Sequence, residues 1–451
     1  MAQLLLGLAG LAGTLLSARV SERVDLLRFP LCWWSVVLML WGAVRLRHGK
    51  AALPHLRELL LLAAGSVLFW DLFELLNLRL RDWWYVGVPE GAAAGLLFSA
   101  ASFATVLPAV RLGELLLRPR GAKVSAHPEA AADPPRAARL FGTGLLLLLL
   151  ALLFPEAAFP VAWVFLWPIC EGALCLMPGG PGEPRGPLEA WRQGDRALAL
   201  RLFAVALPIG LLWEALNWGC ARGWVYTVPG FEGAKIFEMP APGYLGYFPF
   251  LLESGAAIAL LARLRAFAAQ ESWAGHRRAT MAAALALLVL LHVAVDEAAR
   301  RSSCISVAPR FADAHALPEA AALIAHGLPT PRALLDELRL RGSFAVAART
   351  GLTEAQLAEA GQLAALARVG RMGIPWAERL RSAGVSGPED LPALGEAGLR
   401  RRLAASAATD LRAPPRPSGG PFLGGGDGDG GGAPAPALLR IWIASAARIS
   451  R

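Results

Sequence analysis

The stretch that decides the reading is Trp-Glu-Ala-Leu-Asn-Trp-Gly-Cys-Ala-Arg-Gly-Trp-Val-Tyr-Thr-Val-Pro, "WEALNWGCARGWVYTVP" (213–229). It closes a run of membrane-grade hydrophobicity, yet it carries an acid, an amide and a dense set of aromatics. An upstream stretch, "FELLNLRLRDWWYVGVP" (73–89), repeats its plan. In both, an acid is followed by Asn after three residues, Trp after seven more and Pro after a further five: Glu74, Asn77, Trp84, Pro89 and Glu214, Asn217, Trp224, Pro229. Polar positions kept in matched register point to a duplicated site rather than to two similar apolar runs.

Composition sets the class. Of 451 residues, 55% are hydrophobic and only 18% charged, with a mean hydropathy of +0.46. An ordinary water-soluble enzyme of this size carries more charge, so the expected class is an all-α, polytopic helical membrane domain. The net charge of +9 does not by itself indicate a nucleic-acid binder, because where the arginines sit matters more than their sum. Five cysteines, Cys32, Cys170, Cys175, Cys220 and Cys304, form no CxxC pair and have no nearby His, so neither a disulfide framework nor a zinc site is expected.

Apolar segments fall at about 4–17, 30–45, 57–77, 92–116, 140–154, 157–177, 199–219, 243–264 and 279–297. A spanning helix needs about 20 residues, so the first and fifth read as half-spans or interfacial pieces. The opening "MAQLLLGLAGLAGTLLSARV" lacks a basic leader and reads as a retained first helix. Basic residues collect in alternate loops: Arg45 to Arg57, Arg111 to Arg139, Arg185 to Arg201 and Arg263 to Arg278. The positive-inside rule makes these loops cytoplasmic and places both Trp-rich loops, with the C-terminal region, on the outer side.

A second mark supports duplication. "FPLCWW" (29–34) and "FPVAWV" (159–164) share Phe-Pro-x-x-Trp ahead of each Glu/Asn helix. The expected organisation is a duplicated membrane domain over 1–300, with repeats at about 4–117 and 140–264 and an extra helix at 279–297. Four spans per repeat make the copies parallel, and three make them inverted.

Glu and Asn at i, i+3 share a helix face, and in hydrocarbon both must turn toward a cavity or toward each other. Asp71 joins Glu74 and Asn77 at the same spacing, and Glu253 in "YFPFLLES" adds a fourth acid. These groups suit a proton relay, a cation site or a general-acid pair; interfacial hydrogen bonding at helix ends is the plainer alternative. Trp83, Trp84, Tyr85, Trp218, Trp224 and Tyr226 read either as an interfacial aromatic belt or as an aromatic-lined mouth. The loop 230–250, with Glu232, Lys235 and Glu238, returns to the membrane as a cap over such a mouth. His292 and Asp296 have the i, i+4 spacing of metal ligands but lack a third, so no metal and no cofactor is expected.

The helix acid followed by Trp-x-Tyr, Gly, Phe, Pro and a membrane glutamate, "WVYTVPGFEGAKIFEMP" through "FPFLLES", resembles the integral-membrane lycopene cyclase and carotenoid-biosynthesis proteins over about 210–255. Pro240 is followed by Ala-Pro-Gly rather than by the family's Pro-x-Glu-Glu. The resemblance therefore implies a role toward a hydrophobic ligand, a lipid or isoprenoid, rather than cyclisation itself. The candidate ligand-binding residues are Glu74, Asn77, Trp84, Glu214, Asn217, Trp224, Tyr226 and Glu253. A transporter, or a scaffold for the C-terminal region, is the alternative.

After a connector at 301–325, residues 326–404 show helical periodicity with turns at Gly-Leu-Thr, Gly-Ile-Pro and Gly-Val-Ser. Val369, Met372, Gly373, Ala377, Leu380, Gly384, Val385, Asp390 and Leu391 resemble a bacterial helix-hairpin-helix family of unknown function. Many such modules hold a DNA phosphate on hairpin amides. Here Arg371 stands at the first hairpin glycine, with Gly370 one position early, and 11 Arg face 8 acids across 327–402. That is too slight an excess for a phosphate footprint, so a protein partner is expected and nucleic acid is not. A Gly/Pro-rich linker follows at 405–437, and 438–451 reads as a short basic amphipathic helix on the membrane surface. The expected location is a bacterial inner membrane, with lipids or a hydrophobic small molecule as partners.

Overall fold

The computed structural model describes residues 1–80, 82–86, 88, 92–120, 132–177, 184–218, 220, 222–226, 235–268, 277–302, 311–314, 316–369, 372–410, 439, 442, 443 and 446. Pro89, Pro229, Glu232, Gly370, Arg371, Cys304 and nearly all of the linker lie outside them. The chain is all-α apart from two small two-stranded sheets. It falls into two compact units: Met1–Trp83, Ala92–Cys220 and Tyr226–Ala299 form the first; Trp84–Gly91, Ala221–Val225 and Arg300–Arg451 form the second.

The first unit opens with α1 (Ala2–Val20), a short α2 (Glu22–Leu26), α3 (Arg28–His48) and α4 (Leu56–Leu80). After β1 (Trp83–Val86) come α5 (Ala92–Phe103) and α6 (Val106–Leu116), then α7 (Pro134–Leu153), a turn α8 (Pro155–Ala158) and α9 (Leu166–Leu176). The short α10 (Pro187–Arg192), α11 (Ala197–Asn217) and β2 (Gly223–Tyr226) follow, with β1 and β2 paired. A hairpin of β3 (Lys235–Ile236) and β4 (Met239–Pro240) leads into α12 (Tyr247–Ala268) and α13 (Arg277–Ser302).

Among the described residues, eight helices are long and apolar enough to cross a membrane, the pattern of a multi-pass membrane protein. Two expectations about length are corrected. The first and fifth segments become full-length helices of 19 and 20 residues, because each continues past its apolar run. The sixth is the broken one: Pro155–Trp163 and Leu166–Leu176 meet at a bend of 43°. Glu253 of α12 holds that bend, its Oε1 accepting from the amides of Leu166 at 2.9 Å and Trp167 at 3.4 Å. A carboxylate on the first amides of a helix supplies an acceptor to donors that would otherwise stay unmet in hydrocarbon. The α5–α6 break is satisfied in the same way by Ser66, whose hydroxyl donates to Phe103 O at 2.5 Å and accepts from Leu107 N at 3.1 Å.

The packing pairs run in parallel: α1 lies on α3 and α7 on α9, α3 on α6 and α9 on α12. Both first pairs are set by glycine, which lets helix backbones approach closely. A Cβ at Gly42 would lie 2.5 Å from Leu4 N of α1, and one at Gly172 would lie 3.2 Å from Ala137 O of α7. Each glycine stands thirteen residues after the Phe of its Phe-Pro-x-x-Trp mark, 29 to 42 and 159 to 172.

The second unit contains α14 (Ala320–Ala325), α15 (Pro331–Thr350), α16 (Glu354–Arg368), α17 (Ile374–Ser382) and α18 (Asp390–Asp410). Its helices start and stop at the turns expected from sequence. Gly351 ends α15 in the left-handed region, and Thr353 with Gln356 forms a capping box on α16. Leu334, Leu357, Leu363, Leu380, Leu391 and Leu399 fill a core of its own. The apolar face expected at the membrane surface lies elsewhere: Leu439, Trp442 and Ala446 are fully buried in that same core. Trp442 meets the Trp376 ring edge-on at 5.3 Å. Spacing alone makes 439, 442 and 446 an apolar stripe, and the module's core, not lipid, covers it.

Candidate functional site: two aromatic-clamped glutamates

In the first Glu/Asn copy, Asp71, Glu74 and Asn77 follow one face of α4, and all three are buried. Glu74 Oε1 accepts from two indoles, Trp70 Nε1 at 2.8 Å and Trp83 Nε1 at 3.2 Å. Asn77 holds the exit of the helix. Its Oδ1 accepts from Asp82 N at 2.9 Å and Trp83 N at 3.3 Å, and its Nδ2 donates to Trp83 O at 2.9 Å.

The second copy performs the same clamping with different chemistry. Glu214 Oε1 accepts from the Tyr226 and Tyr247 hydroxyls, both at 2.9 Å. The exchange of donors has a steric cause. Four residues before Glu74 stands Trp70; four before Glu214 stands Gly210, where a Cβ would lie 2.5 Å from the Tyr247 ring. The missing side chain makes room for a tyrosine from α12. Asn217 is buried, and its backbone carbonyl accepts from Cys220 N at 3.1 Å. Lys235 Nζ donates to Tyr226 O at 2.8 Å, tying the returning loop to the strand that carries this tyrosine.

The two copies meet through rings. Trp33, from the first Phe-Pro-x-x-Trp mark, lies 5.1 Å from Trp213, the residue before Glu214. Trp163, from the second mark, stacks at 5.3 Å and 15° on Phe73, the residue before Glu74. The contact is reciprocal: the Trp of each Phe-Pro-x-x-Trp mark packs on the helix that bears the glutamate farther from it in sequence. Trp70 joins them, with its ring 5.6 Å from Trp213 and 6.1 Å from Phe250.

The belt reading is thus corrected for Trp83 and Tyr226, which are buried and donate to carboxylates, while Trp218 is 51% exposed as a belt residue would be. Trp84, half-buried, and Trp224, buried, lie in β1 and β2 and belong to the second unit. Glu253 is brought to the start of α9 rather than to Glu214. In the C-terminal module Gly373 opens α17 and Gly384 closes it, both at positive φ, and Ala377 is buried between them. The amides of Gly384 and Val385 return to Arg381 O and Leu380 O, so the second turn satisfies its own donors.

Three residues escaped sequence reasoning: Glu114, Glu171 and Ser99. Glu114 is ringed by Arg111, Arg118 and Arg201. Glu171, fully buried, accepts from Leu188 N at 2.7 Å and Trp167 Nε1 at 3.3 Å. His292 and Asp296, an i, i+4 pair in the sequence, meet Asp71 and Ser99. Among the described residues no group of three His, Cys, Asp or Glu is placed to hold a metal ion. Acids inside apolar helices were the available signal for Glu114 and Glu171; nothing local marks Ser99.

Asp82, just beyond α4, is 3% exposed, neither side-chain oxygen has a hydrogen-bond partner among the described residues, and burial pushes its carboxyl up to about 7. A carboxyl raised in the folded state binds its proton more tightly there than in the unfolded chain. Stability is therefore expected to fall as pH rises from about 4 to 7. Asp82→Asn removes that slope and raises the melting temperature at pH 8 but not at pH 4, which thermal unfolding in detergent at the two pH values reads directly. Equal shifts at both would show that burial of the charge is not the cause.

A scan of family models, a search of curated proteins and a search of solved structures each returned no match to this chain.

Proposed function

We propose that the membrane unit binds or processes a hydrophobic ligand of the lipid or isoprenoid class, with Glu214 as its polar anchor. The observation that carries this reading is the state of that carboxyl group. Oε1 is held by two tyrosine hydroxyls, while Oε2 is buried without a hydrogen-bond partner among the described residues. Buried polar atoms are rarely left unmet; the phenols of Tyr226 and Tyr247 hold Glu214, with Lys235 and Glu238 near enough to act on its charge, so a molecule with one polar or protonatable group on an apolar body would complement it. Reciprocal packing of the Phe-Pro-x-x-Trp marks, and the matched glycines Gly42 and Gly172, support descent of the two halves from one duplicated unit. The resemblance to integral-membrane carotenoid-biosynthesis proteins points to the same ligand class. A bacterial inner membrane is the location that fits, with the basic loops cytoplasmic.

A second reading, a scaffold whose C-terminal module contacts protein, rests on Leu340 and Phe344, which are 79% and 77% exposed on either side of the Gly342 kink in α15. The test is to purify wild type, Glu214→Gln and Asn217→Ala in mild detergent and compare co-purifying lipids and pigments by mass spectrometry, with melting temperatures alongside. Ligand binding predicts that Glu214→Gln loses one apolar species at unchanged stability. Unchanged lipid content with a lowered melting temperature would make the site an internal clamp and favour the scaffold.

A further inference from the structure

We infer that Asp71, His292, Ser99 and Asp296 form a proton relay between the buried face of α4 and half-buried Asp296 on α13. The four residues come from three helices and lie in one unbroken chain. His292 Nδ1 is 2.9 Å from Asp71 Oδ1 and 3.2 Å from Oδ2. His292 Nε2 is 3.2 Å from Ser99 Oγ, and Ser99 Oγ donates to Asp296 Oδ1 at 2.8 Å. Leu96 O is a further acceptor, 3.1 Å from Ser99 Oγ and 3.4 Å from His292 Nε2. The Phe103 ring meets the imidazole edge-on at 5.9 Å and keeps that side apolar.

Direction follows from burial. Asp71 is fully buried, His292 is 5% exposed, and Ser99 and Asp296 are half-buried. Imidazole and hydroxyl are the side chains that both donate and accept, and here they alternate between two carboxyl groups. A proton arriving on Asp296 passes to Ser99 Oγ as the Ser99 proton moves to His292 Nε2 and the Nδ1 proton moves to Asp71. One proton leaves Asp296, one reaches Asp71, and rotation of the hydroxyl with exchange on the imidazole resets the chain. Glu74 lies one turn beyond Asp71 on the same face of α4, so the relay ends beside the first glutamate clamp.

Among the described residues, the titratable and charged groups on the three contributing helices near this point are Asp71 and Glu74 on α4 and His292, Asp296, Glu297 and, one turn further, Arg300 on α13; α5 has none. The helix packed on α5 from the other side, α3, meets it through Trp34 Nε1 and Ala101 O and carries its charges at its ends, Arg28 and Arg45 to His48. Ser99, His292 and Asp71 also match the spacing of a nucleophilic triad. The resting hydroxyl donates to Asp296 Oδ1 and turns to His292 Nε2 once Asp296 carries a proton; a serine set between two proton carriers suits a relay, whereas a nucleophile donates to the imidazole alone.

The test needs no ligand and does not depend on what Glu214 binds. Full-length protein in lipid vesicles is subjected to a light-triggered proton jump, and the carboxyl stretch that Asp71→Asn removes is followed by infrared spectroscopy. The relay predicts that Ser99→Ala slows protonation of that band by about 100-fold at unchanged amplitude, and that Ser99→Thr, which keeps the hydroxyl, restores the rate. An unchanged rate in Ser99→Ala, or no band that depends on Asp71, overturns the relay. So does covalent labelling of Ser99 by a fluorophosphonate that His292→Gln abolishes, which would identify a nucleophile instead.

Discussion

Replacing Glu114 with alanine is expected to destabilise the membrane unit by about 3–5 kcal/mol, the usual cost of stranding buried charges. Glu114 is 2% exposed, and its two oxygens accept from Arg118 Nε at 3.0 Å, Arg201 Nε at 2.9 Å and Arg111 Nη1 at 3.0 Å. Arg111 shares its helix, Arg118 lies two residues beyond its end, and Arg201 comes from α11. One carboxylate therefore joins α6 to α11 and balances three guanidiniums, none more than 30% exposed. Interhelical hydrogen bonds in bilayers usually contribute only a fraction of a kcal/mol. This effect is larger because alanine leaves the cations facing one another without their counter-charge. Thermal unfolding in detergent measures it, and a double-mutant cycle with Arg201→Leu should recover part of the loss. A melting temperature unmoved by Glu114→Ala would show that water already satisfies the arginines.

Trp442→Ala should cost the C-terminal module about 3–5 kcal/mol, the range for deleting a buried tryptophan. Trp442 is fully buried, faces Trp376, and shares a core with Leu380 and Leu363 although it follows them by more than sixty positions. Amide hydrogen exchange on the whole protein in detergent separates the two positions open to the tail. If the tail completes the core, the variant loses protection throughout α15 to α18. If it lies on lipid, protection is kept and only association with vesicles weakens.

Both predictions concern residues whose environment is non-local, and that marks the limit of sequence reasoning here. The apolar segments were legible because membrane helices need long uninterrupted runs, and nearly every segment became a helix close to its expected place. Asp71, Glu74, Asn77 and Glu214 were legible as inward-facing because hydrocarbon tolerates such groups nowhere else. Turns at Gly351, Gly373 and Gly384 were legible because helix ends have local chemistry.

The pairing of side chains across helices was not. Trp70 and Gly210 occupy matched positions, yet only the packing of α12 on α11 explains why one glutamate is clamped by indoles and the other by phenols. Ser99 lies 193 residues from His292, which lies 221 from Asp71, and no periodicity links positions so far apart. By itself the sequence determined an all-α membrane chain with acids turned inward and two matched polar marks, because those features follow from hydrophobic length, helical period and the cost of polar groups in lipid. The tertiary structure alone decided which groups meet those acids, why the sixth segment bends at Glu253, and where the terminal tryptophan is buried, because helix crossings set distances that local sequence does not encode.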